Sequence, residues 1–297
     1  GHLSNFGETI TLSDSNAQLV DTLTYTGSPS DNQLNLVISE IMYHPTTPDA
    51  EYLELTNISD TLTLDLANVT FTGGISFTFP SGSTLAPGAR TLVILNQSVF
   101  ESIHGGGHPI SGIFSSGRLS NEGEQIKLED ADGSTIRQFT YETALPWPTP
   151  PAGGNYSLVL LNPASNPDHS LPHNWRPSIS ENGTPGTSSP VTTFIGNADE
   201  DLDSDGLSAL VEYALGTADN VFNPSPLTIS NGTLSFPRNL AADDVEIIVE
   251  TSTDLITWNA NTSLTDQVHN NNGTLTEHWV LPDESKLFAR IQIDLIP

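Results

Sequence analysis

The chain has 297 residues, enough for two domains, with eight basic against thirty-six acidic side chains and a formal charge of −28. That balance repels nucleic acid and anionic lipid and attracts divalent cations. The lack of cysteine excludes a disulfide framework, a thiol nucleophile and a Cys-type zinc site, and no apolar run approaches the roughly 20 residues of a membrane span.

Gly1-His2 has neither the basic region nor the apolar core of a signal peptide and reads as an expression scar on part of a longer chain. Leu3-Ser-Asn-Phe-Gly-Glu-Thr-Ile-Thr-Leu-Ser-Asp14, ending at Thr24-Tyr25, aligns without a gap on Leu119-Ser-Asn-Glu-Gly-Glu-Gln-Ile-Lys-Leu-Glu-Asp130, ending at Thr140-Tyr141. Each copy alternates apolar and polar residues on two strands around a turn, Asp-Ala-Asp-Gly133 in the second. The expectation is that residues 1–33 hold the last hairpin of a preceding domain of the same type.

A full module is expected over 34–188. Leu36-Val-Ile-Ser-Glu-Ile-Met-Tyr-His-Pro45 reads as a strand ending at proline, and Glu51-Tyr-Leu-Glu-Leu-Thr-Asn57 as a second with Leu53 and Leu55 alternating against polar neighbours. Further strands are readable around 64–72, 76–79, 90–95, 125–128, 135–141 and 157–161, with Gly, Pro and Asn between them at short spacing. The pattern predicts a mainly β chain whose first module is an antiparallel sandwich.

These residues carry a resemblance. Ile-Ser-Glu-Ile-Met-Tyr-His-Pro followed by Glu-Tyr-Leu-Glu-Leu-Thr-Asn is similar to the opening of bacterial lamin tail domains. Leu-Ala-Pro-Gly-Ala-Arg90, Leu-Ser-Asn-Glu-Gly-Glu124 and Thr-Pro-Gly186 extend the match over roughly 34–188. The resemblance implies an immunoglobulin-like sandwich, a non-catalytic module of secreted or surface proteins. Phe71-Thr-Gly-Gly departs from it where the family often has Gly-Trp.

Residues 142–190 are rich in Pro, Gly, Ser and Asn, and prolines such as those of Leu145-Pro-Trp-Pro-Thr-Pro-Pro151 exclude a central strand. Surface loops are expected there. Trp147 and Trp175 would either plug the ends of the sandwich core or, with Tyr156 and Trp258, offer stacking faces to a sugar.

The region 189–224 contains Asp201-Leu-Asp-Ser-Asp-Gly-Leu-Ser-Ala-Leu-Val-Glu212. This fits the calcium loop with oxygen ligands at positions 1, 3, 5, 7 and 12 and glycine at 6. The ligands would be Asp201, Asp203, Asp205, the Leu207 carbonyl and Glu212, with Gly206 at the sharp turn. Leu207, Leu210, Val211, Ala214 and Leu215 fall on one helical face, and Gly216 is placed to stop the helix. An acidic, solvated linker is the alternative reading, but such linkers do not usually run into an amphipathic helix. Thr192-Thr-Phe-Ile-Gly-Asn-Ala198 shows no helical period, so the motif resembles the solitary loop and helix of dockerins rather than a complete EF-hand. A lone loop of this type would bind Ca2+ with a dissociation constant on the order of 0.1–1 mM.

A second small β-sandwich or barrel is expected over 225–297, with strands at 228–230, 233–236, 245–250, 275–281 and 287–293, the first two joined by Asn231-Gly232. Glu250-Thr-Ser-Thr-Asp-Leu-Ile-Thr-Trp258 resembles C-terminal modules of bacterial secreted proteins.

Catalytic chemistry is not legible. His104-Gly-Gly-Gly-His108 and the pair His169 and His173 lie in flexible loops, with no rigid element to fix a zinc site. Glu51 is expected at a strand edge in water. There is no nucleophile elbow, no phosphate loop and no basic track for nucleic acid. The expected function is a non-enzymatic, calcium-stabilised structural or adhesion module of a larger secreted or cell-surface protein, with an unidentified protein or glycan partner. A carbohydrate-binding module is the alternative, followed by an accessory region of a metal-dependent hydrolase.

Overall fold

The computed structural model describes residues 8–25 and 27–296. Gly1-His2 and the Leu3–Gly7 start of the repeat lie outside the described residues.

The chain is mainly β. It opens with the hairpin β1 (Glu8–Ser13) and β2 (Leu19–Tyr25), then α1 (Asp31–Asn35). Ser30 caps α1 through a capping box: its Oγ accepts from Gln33 N at 3.1 Å, and Gln33 Oε1 accepts from Ser30 N at 2.8 Å. There follow β3 (Leu36–Met42), β4 (Tyr52–Asn57), β5 (Leu64–Asp65), β6 (Thr70–Gly73), β7 (Ile75–Thr78), β8 (Thr84–Leu85) and β9 (Arg90–Ile94). Next come α2 (Gln97–His104), β10 (Ile110–Ile113), β11 (Ser116–Gly117), β12 (Glu124–Glu129), β13 (Thr135–Tyr141), β14 (Leu158–Leu160) and β15 (Trp175–Pro177).

Apart from the separate pairs β1-β2 and β5-β8, these strands make two sheets, ordered β10-β9-β4-β3-β14-β15 and β11-β7-β6-β12-β13. One apolar core lies between them, to which Ile38, Leu53 and Leu55 contribute from the first sheet and Phe71, Ile126 and Phe139 from the second. This is the predicted sandwich. β12 and β13 alternate as half-buried strands should, whereas β3 and β4 are buried along their whole length. The outer faces of β3 and β4 are covered by α2, whose Phe100 packs on Met42, Tyr52, Leu92 and Ile94, and by the segment around 182–189. Neither α1 nor α2 was expected; at five and eight residues they are too short for a helical period to stand out. β15 runs through a stretch expected to be loop, and its Pro177 is tolerated because the strand lies at the sheet edge.

The remaining elements are α3 (Ala209–Leu215), β16 (Thr228–Ser230), β17 (Thr233–Asn239), β18 (Val245–Ser252), β19 (Ser263–His269), β20 (Thr274–Val280) and β21 (Phe288–Leu295). They form a four-stranded sheet, β16-β17-β20-β19, and the pair β18-β21. Ala214 and Leu215 of α3 are buried in one cluster with Leu234, Phe236, Val245 and Val249. The helix is therefore part of the C-terminal core, not of a free-standing linker over 189–224.

Several contacts join this C-terminal body to the sandwich, among them hydrogen bonds from Thr149 to Gln267 and between His269 Nε2 and Ser178 O. Arg176 of β15 pairs with Asp243, and Tyr156 stacks on His269 with ring centroids 3.8 Å apart and planes 14° from parallel.

Candidate metal centre

The loop before α3 brings the three predicted aspartates together. One carboxylate oxygen from each of Asp201, Asp203 and Asp205 lies within 4.8 Å of the others. Backbone amides draw the carboxylates inward: Asp201 accepts from Asp205 N at 3.2 Å and Gly206 N at 3.1 Å, and Asp203 from Asp205 N at 3.1 Å. Asp205 accepts from Leu207 N at 2.8 Å. Gly206 has φ +92°, a conformation that costs an L side chain and that glycine adopts freely.

Glu212 stands outside that grouping of three, one turn into α3. Its side chain is fully buried, and its Oε2, like Oδ2 of Asp203, is a buried oxygen without a hydrogen-bond partner. The Thr217 hydroxyl beside the Glu212 carboxylate offsets only part of the lost hydration, since desolvation remains the larger influence. Burial raises the proton affinity of both Asp203 and Glu212, and the charges of neighbouring aspartates raise it further. A hard divalent cation is the partner that removes both penalties at once. Asp201, Asp203, Asp205 and Glu212 thus fit Ca2+ by donor type and by the demand for positive charge. Leu207 would add its carbonyl.

Two residues beyond the predicted loop also face it, and the sequence reading missed both. Asn223 donates its N–H to Asp205 Oδ2 at 2.9 Å and its amide to Glu212 Oε1 at 3.5 Å, and Asp219 accepts from Leu202 N at 3.3 Å. Asp219 adds its charge to those acting on Asp203 and Glu212. A turn that folds back after the Gly216 helix stop would have been the only cue.

The histidines form no such centre. Among the described residues, the three aspartates are the one group of His, Asp and Glu side chains with metal-ligand spacing. His169 Nε2 accepts a hydrogen bond from Ile38 N at 3.2 Å, Nδ1 faces Pro167 O, and burial pushes its pKa down to about 3. His104 is lowered to about 4 by burial and by His108. His108 has its ring nitrogens 3.0 Å from the carbonyls of Pro185 and His104. These rings are structural.

The aromatic residues considered for stacking are occupied within the fold. Trp147 and Trp175 are 4 % and 3 % exposed and join the sandwich core, Trp175 lying on Phe139 and donating its indole N–H to His169 O at 2.9 Å. Tyr156 is covered by His269, and Trp258 carries the Arg290 guanidinium 4.1 Å over its ring. Trp147 and Trp175 thus plug the sandwich core, while Tyr156 and the half-buried Trp258 each have a ring contact within the fold.

Glu51 is buried rather than solvated, because its Oε2 accepts from Leu119 N at 2.7 Å across the sandwich. Glu40 and Glu54, on the outer faces of β3 and β4, are buried as well. Glu40 accepts from Tyr52 Oη and Thr184 N, both at 2.8 Å, and Glu54 accepts from Ser39 Oγ and Gly186 N, both at 2.7 Å. Arg90 pairs with Glu54. Burial first, and then the charge of Glu40, push Glu54 up to about 7 in spite of Arg90. The arrangement pins the Thr-Pro-Gly186 segment to the sheet, with the hydroxyls of Ser39, Ser157 and Thr184 also donating to these carboxylates.

Neither the curated proteins nor the solved structures contain a match to this chain. Residues 29–143, the two-sheet sandwich up to the end of β13, match the Lamin Tail Domain family.

Proposed function

We propose that this chain is a calcium-stapled, non-catalytic structural module of a larger secreted or cell-surface protein. The single observation that carries the reading is the buried, unpartnered oxygen of Glu212 beside the converging carboxylates of Asp201, Asp203 and Asp205. The non-catalytic character rests on the lamin tail match over the sandwich. An ion held by both the loop and the first turns of α3 ties the loop to a helix whose other face is part of the C-terminal core. Binding confined to the folded state stabilises by mass action, about 2.7 kcal/mol at a hundredfold excess over the dissociation constant. The weak affinity expected of a lone loop matches the millimolar calcium outside cells, and adhesion to a protein or glycan is the role that such a rigid array of β modules would serve.

The test is calcium titration by calorimetry on the parent and on Glu212→Gln, with melting curves in calcium and in chelator. One ion per chain, a higher melting temperature in calcium, and loss of both in the variant are expected. Absence of binding at millimolar calcium would reduce the loop to an acidic surface turn.

A further inference from the structure

The hairpin β1–β2 repeats β12–β13 in geometry as well as in sequence. The pairs Glu8–Tyr25, Ile10–Leu23 and Ser13–Leu19 fall, at one constant offset, on Glu124–Tyr141, Ile126–Phe139 and Glu129–Thr135. The register slips at the same step, Leu12/Ser13 in one and Leu128/Glu129 in the other. The turns close alike, Asp14 N donating to Gln18 O at 2.9 Å and Asp130 N to Ser134 O at 2.8 Å. Ala17 takes the left-handed conformation, φ +62°, that Gly133 takes at +83°. A bulge re-aims the side chains beside it, so a bulge in the same place gives the two hairpins the same inner face.

What differs is the cover. Ile126, Leu128, Ile136 and Phe139 are 0, 0, 3 and 4 % exposed, and their counterparts Ile10, Leu12, Val20 and Leu23 are 38, 59, 61 and 63 % exposed. β12 also pairs with β6, whereas β1 pairs with β2 alone among the described residues. An isolated two-stranded hairpin presenting four large apolar side chains lacks a partner for both its face and one edge.

We infer that hairpin 8–25 belongs to a second lamin-tail-like sandwich preceding it in the polypeptide, its apolar face filling the slot that β12–β13 fills in this one. The family match runs from residue 29 to 143 and so ends two residues beyond β13. The first hairpin likewise ends just before residue 29, where the next unit begins. It stands, relative to the matched segment, where β12–β13 stands, although in this unit the strands β14 and β15 still follow. A second copy of this chain is the wrong occupant, because its slot already holds a hairpin anchored at both ends. Charge argues the same way. Arg137 donates to Gln33 O at 3.1 Å in that slot, and its counterpart in the first hairpin is Asp21, whose carboxylate would face the same carbonyl. The true occupant presents a hydrogen-bond donor at that point.

Two experiments test this. In the full chain, residues 8–25 replace 124–141, with Asp21→Arg restoring the contact to Gln33. The sandwich is expected to keep one cooperative transition within about 10 °C of the parent, and to lose it when Ile10→Asn and Leu23→Asn are added. No cooperative transition, when 124–141 reinserted through the same junctions melts normally, overturns the inference. Second, hydrogen exchange is measured on the 297-residue chain and on the polypeptide as encoded upstream of it. The outward-facing amides of β1 are expected to gain about a hundredfold protection in the longer form. An upstream polypeptide lacking a sandwich that misses its β12–β13 counterpart, or one that leaves those amides exchanging as before, overturns it. So does concentration-dependent dimerisation abolished by Leu23→Asn, since a second copy would then be the occupant.

Discussion

Arg176 and Asp243 form a two-pronged ion pair, Nε to Oδ1 at 2.8 Å and Nη2 to Oδ2 at 3.3 Å, with side chains 8 % and 12 % exposed. Arg176 belongs to the edge strand of the sandwich and Asp243 to the C-terminal body. Removing one member leaves the other charge largely buried, at a cost of about 3 kcal/mol. Arg176→Ala is expected to split a coupled calorimetric transition into two, and Arg176→Lys to restore little, since lysine cannot make the planar fork. An unchanged single transition in Arg176→Ala would mean that the Tyr156–His269 stack carries the coupling.

The buried carboxylates set a pH dependence whose sign is fixed by Glu54. Its folded pKa lies above the unfolded value, near 7 against 4.5. Its contribution is therefore fully present below pH 4.5 and is lost as pH rises through 7. Glu54→Gln should flatten the parent's fall in stability over that window by up to about 3 kcal/mol, as read from denaturant midpoints at several pH values. His169 and His104 act oppositely: their folded values near 3 and 4 make stability fall as pH drops below 6.5. Comparing variant with parent at each pH isolates Glu54 from them.

Gly183 allows the Thr-Pro-Gly186 segment to reach the sheet. Its φ is +77°, and a Cβ there would lie 2.0 Å from Tyr52 Oη and 2.3 Å from Glu40 Oε1. Gly183→Ala is expected to destabilise the sandwich by roughly 1–3 kcal/mol through strain and loss of those hydrogen bonds. The thermal midpoint reports it. A midpoint equal to the parent's would mean that the segment is not held by Glu40.

At the loop before α3, Asp219 supplies charge without belonging to the twelve-residue motif. Asp219→Asn is expected to weaken calcium binding about fivefold, the effect of roughly 1 kcal/mol of attraction across a solvated separation, with one ion still bound. Glu212→Gln is expected to abolish the binding proposed above. Equal affinities for Asp219→Asn and the parent would show the 217–223 turn to be a bystander.

Much of this was readable from residue order. Alternation in Ile126, Leu128 and Phe139 marked the inner sheet, and the Asp-x-Asp-x-Asp-Gly spacing marked the loop. The outer sheet misled because its polar residues are covered late in the chain: Glu40 and Glu54 look like solvent-facing positions until residues 184 and 186 fold over them. Glu51 misled for the same reason, its partner Leu119 lying far away in sequence. Burial by distant segments leaves no local period. α3 was placed correctly, but its allegiance to the C-terminal core depends on β17 and β18, which follow it. Asn223 and Asp219 reach the loop only because the chain turns back after Gly216.

Asp243 and Asp244 are neighbours, yet they hold different bodies. Asp243 takes Arg176 of the sandwich, while Asp244 accepts from Tyr213 Oη of α3 at 2.6 Å and from Phe194 N at 2.8 Å. Part of a load pulling the sandwich away from the C-terminal body therefore passes through the dipeptide just before β18, and the rest through the Tyr156–His269 stack and its neighbouring hydrogen bonds. Yielding there costs a few polar contacts and leaves both apolar cores sealed.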